Sequence, residues 1–560
     1  MSQDNEAVLR VIVVGGVAGG ASAAARARRC DARAQITILE KGPVVSFANC
    51  GLPYHIGGEI EERSKLLVAT PELFWERFRI RVRVQHEVKC IDRQARTVTG
   101  VDDKGQEFKM PYDRLILATG AEPFWPPTCV TSATNVFQLW TLTDMDRILA
   151  YLKQRPAKRA TVIGAGFIGL EVVEQLQRRD IAVTLVERCD QVLPQVDREI
   201  AKLLQKQLEK NNVNVQLSAS VEAVLTNNQL ATAVKLASGS SIASELVIVA
   251  AGVRPRTQLA KEAGLTIGNS GAVAVNEYGQ TEDPLVYAVG DMAEVQHGVL
   301  NRRAHVPLAG PANRAGRTAG SHAVFSSAMA NGSVNATAIV RVFDLAAGVT
   351  GLTEKACIAE GIEYRVATIQ ATHHANYFPG ARGLTIKLIY SPSSGKVLGA
   401  QAVGGQGVDK RIDVISTLLH FGGQVEDLAN LDLAYAPPFG SAKDPLHMAA
   451  FAAQNDLAGI PSLLPSDADL SGYQVVDVRK SDELKTLPLP GAMHIPVDEL
   501  ADRWNELDPL KPTVTVCHSG KRAHVAACWL RGNGFKSVAN LNGGMSIRRL
   551  FDNCSLPGTE

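Results

Sequence analysis

Cysteine offers the most chemistry in this chain of 560 residues, which holds nine cysteines and no CxxC pair. A disulfide-stapled scaffold and a zinc ribbon are therefore not expected, and a reducing cytosol is the default setting. Two of the nine stand out. Cys50 sits in Ser46-Phe47-Ala48-Asn49-Cys50-Gly51-Leu52-Pro53-Tyr54, with no second cysteine close behind it. A solitary thiol cannot close a local disulfide, so it must cycle through a mixed disulfide with substrate or through a sulfenate. Cys517 follows a short apolar run and opens Cys517-His518-Ser519-Gly520-Lys521-Arg522 ahead of a helical stretch. On such a strand-to-helix loop, successive backbone N–H groups and the positive helix end stabilise a thiolate or a bound anionic sulfur. His518, Lys521 and Arg522 add cationic donors. A cysteine phosphatase needs C-x5-R to clamp phosphate, whereas Arg522 stands at C-x4-R, and the smaller loop suits a sulfane sulfur. Cys30, Cys90, Cys129, Cys189 and Cys357 read as small buried hydrophobes, Cys528 and Cys554 as structural.

Two glycine-rich turns would bind nucleotides. Gly164-Ala165-Gly166-Phe167-Ile168-Gly169 is a full GxGxxG between a strand and a helix, and Glu187 ends the next strand where a ribose 2′-OH ligand belongs. A carboxylate there repels a 2′-phosphate and favours NADH, while the adjacent Arg188 leaves NADPH open. The earlier copy, Gly15-Gly16-Val17-Ala18-Gly19-Gly20, departs from the motif at Val17 and is followed by Glu40. Ser22, Arg26, Arg29 and Arg33 follow at i, i+4, i+7 and i+11, the spacing of one helical face, and guanidinium forks suit phosphates. On spacing alone, a solvated basic face is the favoured reading.

The elements that must position these groups are legible. Residues 9–15 (LRVIVVG), a helical stretch to about residue 29 and residues 35–40 (QITILE) form one βαβ unit. Residues 160–164, the helix from Phe167 and residues 182–187 form a second. From about residue 339, shorter alternating strands such as 384–390 and 397–403 predict an α+β domain. Residues 455–471 carry prolines and turn formers, as a linker would, and the last ninety or so residues carry their own strands at 473–478 and 513–516. Lys+Arg at 58 against Asp+Glu at 57 gives a net charge of +1, so no basic field points to nucleic acid. No apolar run approaches the roughly 20 residues of a membrane span, and the polar first residues form no signal-peptide core, so a cytoplasmic protein is expected.

Residues 115–120 (LILATG) and 288–291 (AVGD), in this order with the two glycine turns, resemble the markers of two-dinucleotide flavoprotein reductases. Over about residues 8–450 the chain resembles a pyridine nucleotide-disulfide oxidoreductase of the single-cysteine class, and residues 46–54 resemble coenzyme A-disulfide and NADH-dependent persulfide reductases. The Cys517 loop, residues 475–479 and 491–496, and Gly543-Gly544-Met545 resemble a rhodanese. The implied fold is α/β: an FAD-binding domain in two segments (1–120 and 251–335) and an NAD(P)H-binding domain (121–250), both Rossmann-like. An α+β dimerisation domain (336–454), a linker (455–470) and an α/β rhodanese domain (471–560) follow.

The resemblance implies FAD at Gly15, Ala18, Gly19, Gly20, Glu40, Lys41, Thr119, Gly120 and Asp291, and NAD(P)H at Gly164, Gly166, Gly169 and Glu187. It implies coenzyme A at Ser22, Arg26, Arg29, Ser46, Asn49, Asn313 and Lys443. Cys50 and Cys517 are the implied catalytic sulfurs, with His518, Ser519, Gly520, Lys521 and Arg522 forming the rhodanese loop. Tyr377 and Tyr435 would reach the active cysteine of the other subunit in a homodimer. No metal site is implied; His373 and His374 read as loop or sheet residues. The expected activity is NAD(P)H-dependent reduction of CoA persulfide, polysulfide or CoA disulfide at Cys50, with the rhodanese module delivering sulfane sulfur. The alternatives are CoA-disulfide reduction with a peripheral rhodanese, an NADH peroxidase or oxidase, and a redox-sensing flavin-binding protein. The peroxidase class carries a histidine in its first glycine turn where this chain has Ala18, which cannot serve as acid or base.

Overall fold

The computed structural model describes residues 8–325 and 328–551, so Cys554 lies outside the described residues. The chain divides into two units, one holding Met1–Asp190 and Asn212–Ala336, the other Gln191–Asn211 and Thr337–Glu560.

The first unit contains two parallel sheets built on the same plan. In the first, the strands run Val286–Ala288, Arg114–Leu117, Arg10–Val14, Gln35–Leu39 and Arg81–Arg83 across the sheet. Val11, Val13, Ile36, Ile38 and Ile116 are buried among the alanines of the helix Ala18–Cys30. Apolar strands covered on both faces are what βαβ sequences dictate. The second sheet runs Asn214–Gln216, Ala182–Val186, Arg159–Ile163, Leu246–Val249 and Val136–Phe137, all parallel. The first helix also packs against the late helix Ala309–His322 through bare backbone. A Cβ on Gly316 would fall on the Gly19 carbonyl, and one on Gly320 on that of Ala23. Arg33 lies beyond the first helix, which ends at Cys30 with Asp31 as its C-cap. The helical face therefore carries Ser22, Arg26 and Arg29 only, because the chain must turn at 31–34 to enter the next strand.

The second unit holds an antiparallel sheet ordered Ala338–Val342, Leu345–Gly351, Val397–Gly404, Gly383–Tyr390 and Arg365–Thr372, and a parallel one. The parallel sheet runs Ser462–Leu464, Val538–Leu541, Thr513–Val516, Gln474–Asp477 and Met493–His494. Ser462–Leu464 comes from the stretch read as a linker; its side chains are half-buried and its backbone pairs with Ser462↔Ala539 register. Lys387, fully buried, meets Asp197 at 2.9 Å, Glu199 at 2.6 Å and Glu354. That cluster fastens the helix Arg198–Lys210 to the antiparallel sheet.

Of the cysteines read as buried hydrophobes, Cys129 and Cys357 are buried, Cys30 and Cys189 are half-buried, and Cys90 is exposed. Cys90 lies on the strand Glu87–Asp92, where the register shift between Val88 and Cys90 turns its side chain outward. No described helix is long and apolar enough to cross a membrane, and no described cluster of His, Cys, Asp or Glu has the makings of a metal site.

Candidate functional site

The two glycine turns are near copies in three dimensions. Gly15 and Gly164 have φ of +99° and +104°, the left-handed region that favours glycine. A Cβ on Gly20 would fall on the Gly15 carbonyl, and one on Gly169 on the Gly164 carbonyl, so each helix packs directly on its turn. Glu40 accepts from the N–H of Gly16 at 2.8 Å and of Gly42 at 2.7 Å. Glu187 accepts from Ala165 at 2.7 Å and Cys189 at 2.8 Å. Each carboxylate thus stiffens its turn and, with further lone pairs, can still receive a ribose hydroxyl. The departure at Val17 has a simple explanation. Val17 and Gly166 both precede their helices with negative φ, −90° and −77°, so the backbone itself does not demand glycine there.

Other residues expected to hold FAD lie beside the first turn, where Gly15 meets Ala118 and Thr119 and Gly19 meets Gly290. Thr119 Oγ1 donates to the Arg256 carbonyl at 2.9 Å, and Gly120 turns the chain with φ +68°. Burial pushes the Asp291 carboxyl up, and His305 Nε2 is 2.7 Å from the Asp291 carbonyl oxygen. Burial lowers Lys41, and Arg256 lowers it further.

Cys50 lies in a short turn, Asn49–Gly51, that feeds the helix Leu52–Ile56. The residue is solvent-accessible yet densely surrounded: burial, then the negative charges of Glu171 and Asp291, push its thiol up. Three bonds tie its segment to the helix Phe167–Gln177 and the turn after it. Tyr54 donates to Glu171 at 3.0 Å, Gln175 to Glu59 at 2.7 Å, and Arg179 to the Ile56 carbonyl at 2.6 Å. Gly57 permits the approach, since a Cβ there would collide with the Gln175 side chain. The Cys50 segment is thus docked on the helix after the second glycine turn, and Ser46 joins it to the first. Sequence reasoning missed Tyr54 and Glu171, whose one available signal was the position of Glu171 two residues after Gly169.

The residues read as coenzyme A contacts fall into three places. Ser22 donates to Asn313 Oδ1 at 2.6 Å, and Arg26 donates through Nε alone to Ser321 at 2.6 Å. Arg29 lies over the Phe78 ring at 5.5 Å. Ser46 and Asn49 stand apart from that face. Ser46, at φ +49°, hydrogen-bonds its N–H to the Gly16 carbonyl at 2.9 Å, joining the glycine turn to the Cys50 segment. Lys443 is exposed in the second unit.

Tyr377 and Tyr435 are brought together, with their hydroxyls 3.1 Å apart and their side chains 72% and 48% exposed. Fully buried Arg411 holds both tyrosine loops, donating to the His373 carbonyl at 2.8 Å and to Asp444 at 2.7 Å.

The second sulfur site is closed. Cys517 is 0% exposed and its Sγ accepts from the Gly520 N–H at 3.1 Å, where φ +86° starts the helix Lys521–Gly532. Arg522 grips Glu483 with two bonds of 2.6 Å and also faces the Cys517 sulfur. That guanidinium holds the Glu483 carboxyl down at about 2. Burial, then Arg549, lowers His518. His518 and Lys521 are exposed, so the loop presents an imidazole and an ammonium outward while the sulfur stays inside.

The description "pyridine nucleotide-disulphide oxidoreductase" matches residues 9–316, more than half of the chain. The chain belongs to this family. The family's dimerisation domain matches residues 337–445, and a rhodanese-like domain matches residues 463–546. The α/β fold class with its dimerisation and rhodanese domains is thereby met, and family membership implies FAD and NADH as cofactors and a dimer as the assembly. Over 446 residues the chain is 32% identical to a coenzyme A disulfide reductase of Staphylococcus aureus, covering 80% of this chain and all of that one. An NADH oxidase of Methanocaldococcus jannaschii is 35% identical over 443 residues, 79% of this chain and 98% of that one. Two solved oxidoreductase structures match nearly end to end. The reduced CoADR-RHD of Bacillus anthracis gives a TM-score of 0.93 at 41% identity, covering 97% and 98% of the two chains. An NAD-dependent persulfide reductase from A. fulgidus gives 0.91 at 37%, covering 96% and 100%.

Proposed function

We propose that this oxidoreductase reduces the sulfur–sulfur bond of CoA persulfide, and of CoA disulfide, through Cys50, and that the Cys517 loop supplies sulfane sulfur from polysulfide. The observation that carries this is one reachable thiol on a segment tied to both glycine turns, on the same chain as a second cysteine whose sulfur accepts a backbone N–H. The CoA disulfide reductase and persulfide reductase relatives support the substrate class. The Cys50 thiolate attacks the carbon-linked sulfur of CoA persulfide. A Cys50–CoA disulfide bond forms, the persulfide bond breaks, and its electron pair leaves with hydrosulfide. FAD, held at Gly15, Ala18, Gly19, Gly20, Glu40, Lys41, Thr119, Gly120 and Asp291, would supply from NADH the two electrons that returning this mixed disulfide to the thiol and free CoA requires. Ser22, Arg26, Arg29, Asn313, Ser46, Asn49 and Lys443 are the proposed coenzyme A contacts.

The resting Cys50 thiol is held protonated by burial and by Glu171 and Asp291, so it needs a donor that favours the thiolate. Tyr377 and Tyr435 of the partner subunit are proposed for this role: a phenol can donate to a thiolate or protonate a departing one. Their joint exposure on one surface supports such a reach. Tyr377→Phe and Tyr435→Phe should each lower kcat with CoA disulfide by about two- to tenfold, the effect of one net hydrogen bond. Unchanged kcat in both would remove the tyrosines from the site.

Glu187, tied to its turn, is proposed to select NADH. Steady-state kinetics should give a higher kcat/KM for NADH than for NADPH, and Glu187→Gln should narrow the gap. A preference for NADPH in the native protein would mean that Arg188 governs the pocket.

The test of the whole reading compares NADH consumption on CoA disulfide and polysulfide in parallel. Cys517→Ser should lose polysulfide turnover while retaining CoA disulfide turnover, because only the long anionic substrate lacks phosphates for the first helix to hold. The complete enclosure of the Cys517 sulfur favours a second reading, plain CoA-disulfide reduction with the rhodanese module peripheral. No loss on either substrate would establish it.

A further inference from the structure

The strand Arg365–Thr372 is the edge of its antiparallel sheet. An edge strand offers unpaired backbone N–H and C=O groups on every second residue, and a protein must cover them. Here a side chain from the parallel-sheet domain covers two of them. Asn542 accepts from the Thr368 N–H at 2.8 Å and donates to the Val366 carbonyl at 3.1 Å, imitating the backbone of a neighbouring strand. Two residues further along the same edge, Gln370 donates to the Ser546 hydroxyl.

Ser546 leads directly to the second sulfur site. Its hydroxyl donates to the His518 carbonyl at 2.8 Å, and its backbone N–H reaches the same carbonyl at 3.0 Å. The N–H of Met545 takes the Cys517 carbonyl at 2.9 Å. The helix Gly544–Arg548 comes this close because Gly544, at φ +60°, has no side chain; a Cβ there would meet the Cys517 and His518 carbonyls. The carbonyl groups of the sulfur loop thus rest on residues 544–546. Ser546 and the nearby Asn542 are in turn pinned to the edge strand.

We propose that the edge strand Arg365–Thr372 is the positioning element of the Cys517 loop, acting through Gln370 on Ser546 and through Asn542. Gln370 acts at one remove from the sulfur, through the Ser546 hydroxyl. Its work is to hold the Ser546 hydroxyl where that hydroxyl fixes His518, and so to keep the Gly520 N–H aimed at the Cys517 sulfur. The loop is then part of a rigid joint between two domains and not a freely tethered arm. This inference holds whichever sulfur substrate the chain takes.

The experiment is alkylation of the full-length protein with iodoacetamide, read cysteine by cysteine by mass spectrometry. Cys517 is enclosed, so it reacts only when its loop opens, and buried Cys129 and Cys357 report any general loosening. Gln370→Ala should speed alkylation of Cys517 about two- to tenfold, the weight of one hydrogen bond, while Cys129 and Cys357 keep their native rates. Ser546→Ala should do the same and Ser546→Thr, which keeps the hydroxyl, should restore protection. The double variant Gln370→Ala/Ser546→Ala should fall short of the product of the singles, since both remove one shared link. Native protection of Cys517 in Gln370→Ala would overturn the proposal. So would equal acceleration at all three buried cysteines, or effects of the two substitutions that simply multiply.

Discussion

Cys50→Ser should abolish turnover of CoA disulfide and CoA persulfide while the protein stays yellow. The expectation follows from solitude and placement together. The other described cysteines that reach solvent belong to other elements, and the 46–54 segment holds no second thiol to take over the mixed disulfide. A serine hydroxyl is nearly isosteric but remains protonated at neutral pH and is a far weaker nucleophile toward sulfur. The glycine turns, Glu40 and Asp291 are untouched by the change, so FAD should copurify at one per chain, checked by its visible absorbance. NADH consumption with either substrate in the serine variant, above a few per cent of native, would mean that sulfur is reduced elsewhere. A colourless serine variant would mean instead that Cys50 is needed to build the flavin site.

The largest effect on stability should come from Lys387→Met. Burial alone would lower the lysine, but Glu199, Asp197 and Glu354 outweigh it and hold the ammonium charged. Asp197 has other partners: the Gln401 side chain donates to it at 2.5 Å, and the Glu354 N–H at 3.1 Å. Glu199 has the lysine as its charged partner and is itself pushed up by burial. Removing the one cation from three carboxylates should cost about 3–5 kcal/mol, the price of stranding buried charge. Glu199 has a raised pKa in the fold, so the folded state binds its proton more readily than the unfolded chain does. Stability of the variant should accordingly recover as the pH falls from 7.5 towards 5. Denaturant unfolding of both proteins at the two pH values checks this. A deficit below 1 kcal/mol, or one that grows on acidification, would contradict it.

Much of this was legible in the residues. Both βαβ units are visible as apolar runs flanking glycines, and the structure places the strands Arg10–Val14 and Arg159–Ile163 within a residue of those runs. Spacing could not show where the first helix stops. Arg33 continues the helical period, but the turn that delivers Gln35 to its strand overrides it. Nor could it show that Glu40 and Glu187 first serve their own glycine turns, since that depends on how closely each strand end approaches the loop. Tyr54 and Glu171 lie 117 positions apart and meet only when the Cys50 helix docks. The Gln370 and Asn542 links were hidden for the same reason. An exposed-looking amide carries no sequence signal for the strand edge that it will cover.

The glycine contact between the helices Ala18–Cys30 and Ala309–His322 bears on how the chain is made. The first helix presents Gly19 and Ala23 to a partner that leaves the ribosome some 290 residues later, and the strand Val286–Ala288 that completes its sheet is almost as late. At about 5–20 residues per second, the nascent N-terminal segment waits for tens of seconds with that face uncovered. The later parallel sheet, built on Arg159–Ile163, closes among strands that all lie within residues 136–249 and has no such delay. Synthesis therefore finishes the second nucleotide unit before the first. A chain arrested at residue 300 should protect residues 159–187 and 214–249 from protease while leaving residues 10–39 open to cleavage. Early protection of 10–39 in that arrested chain would show that the late helix is not needed to close the first unit.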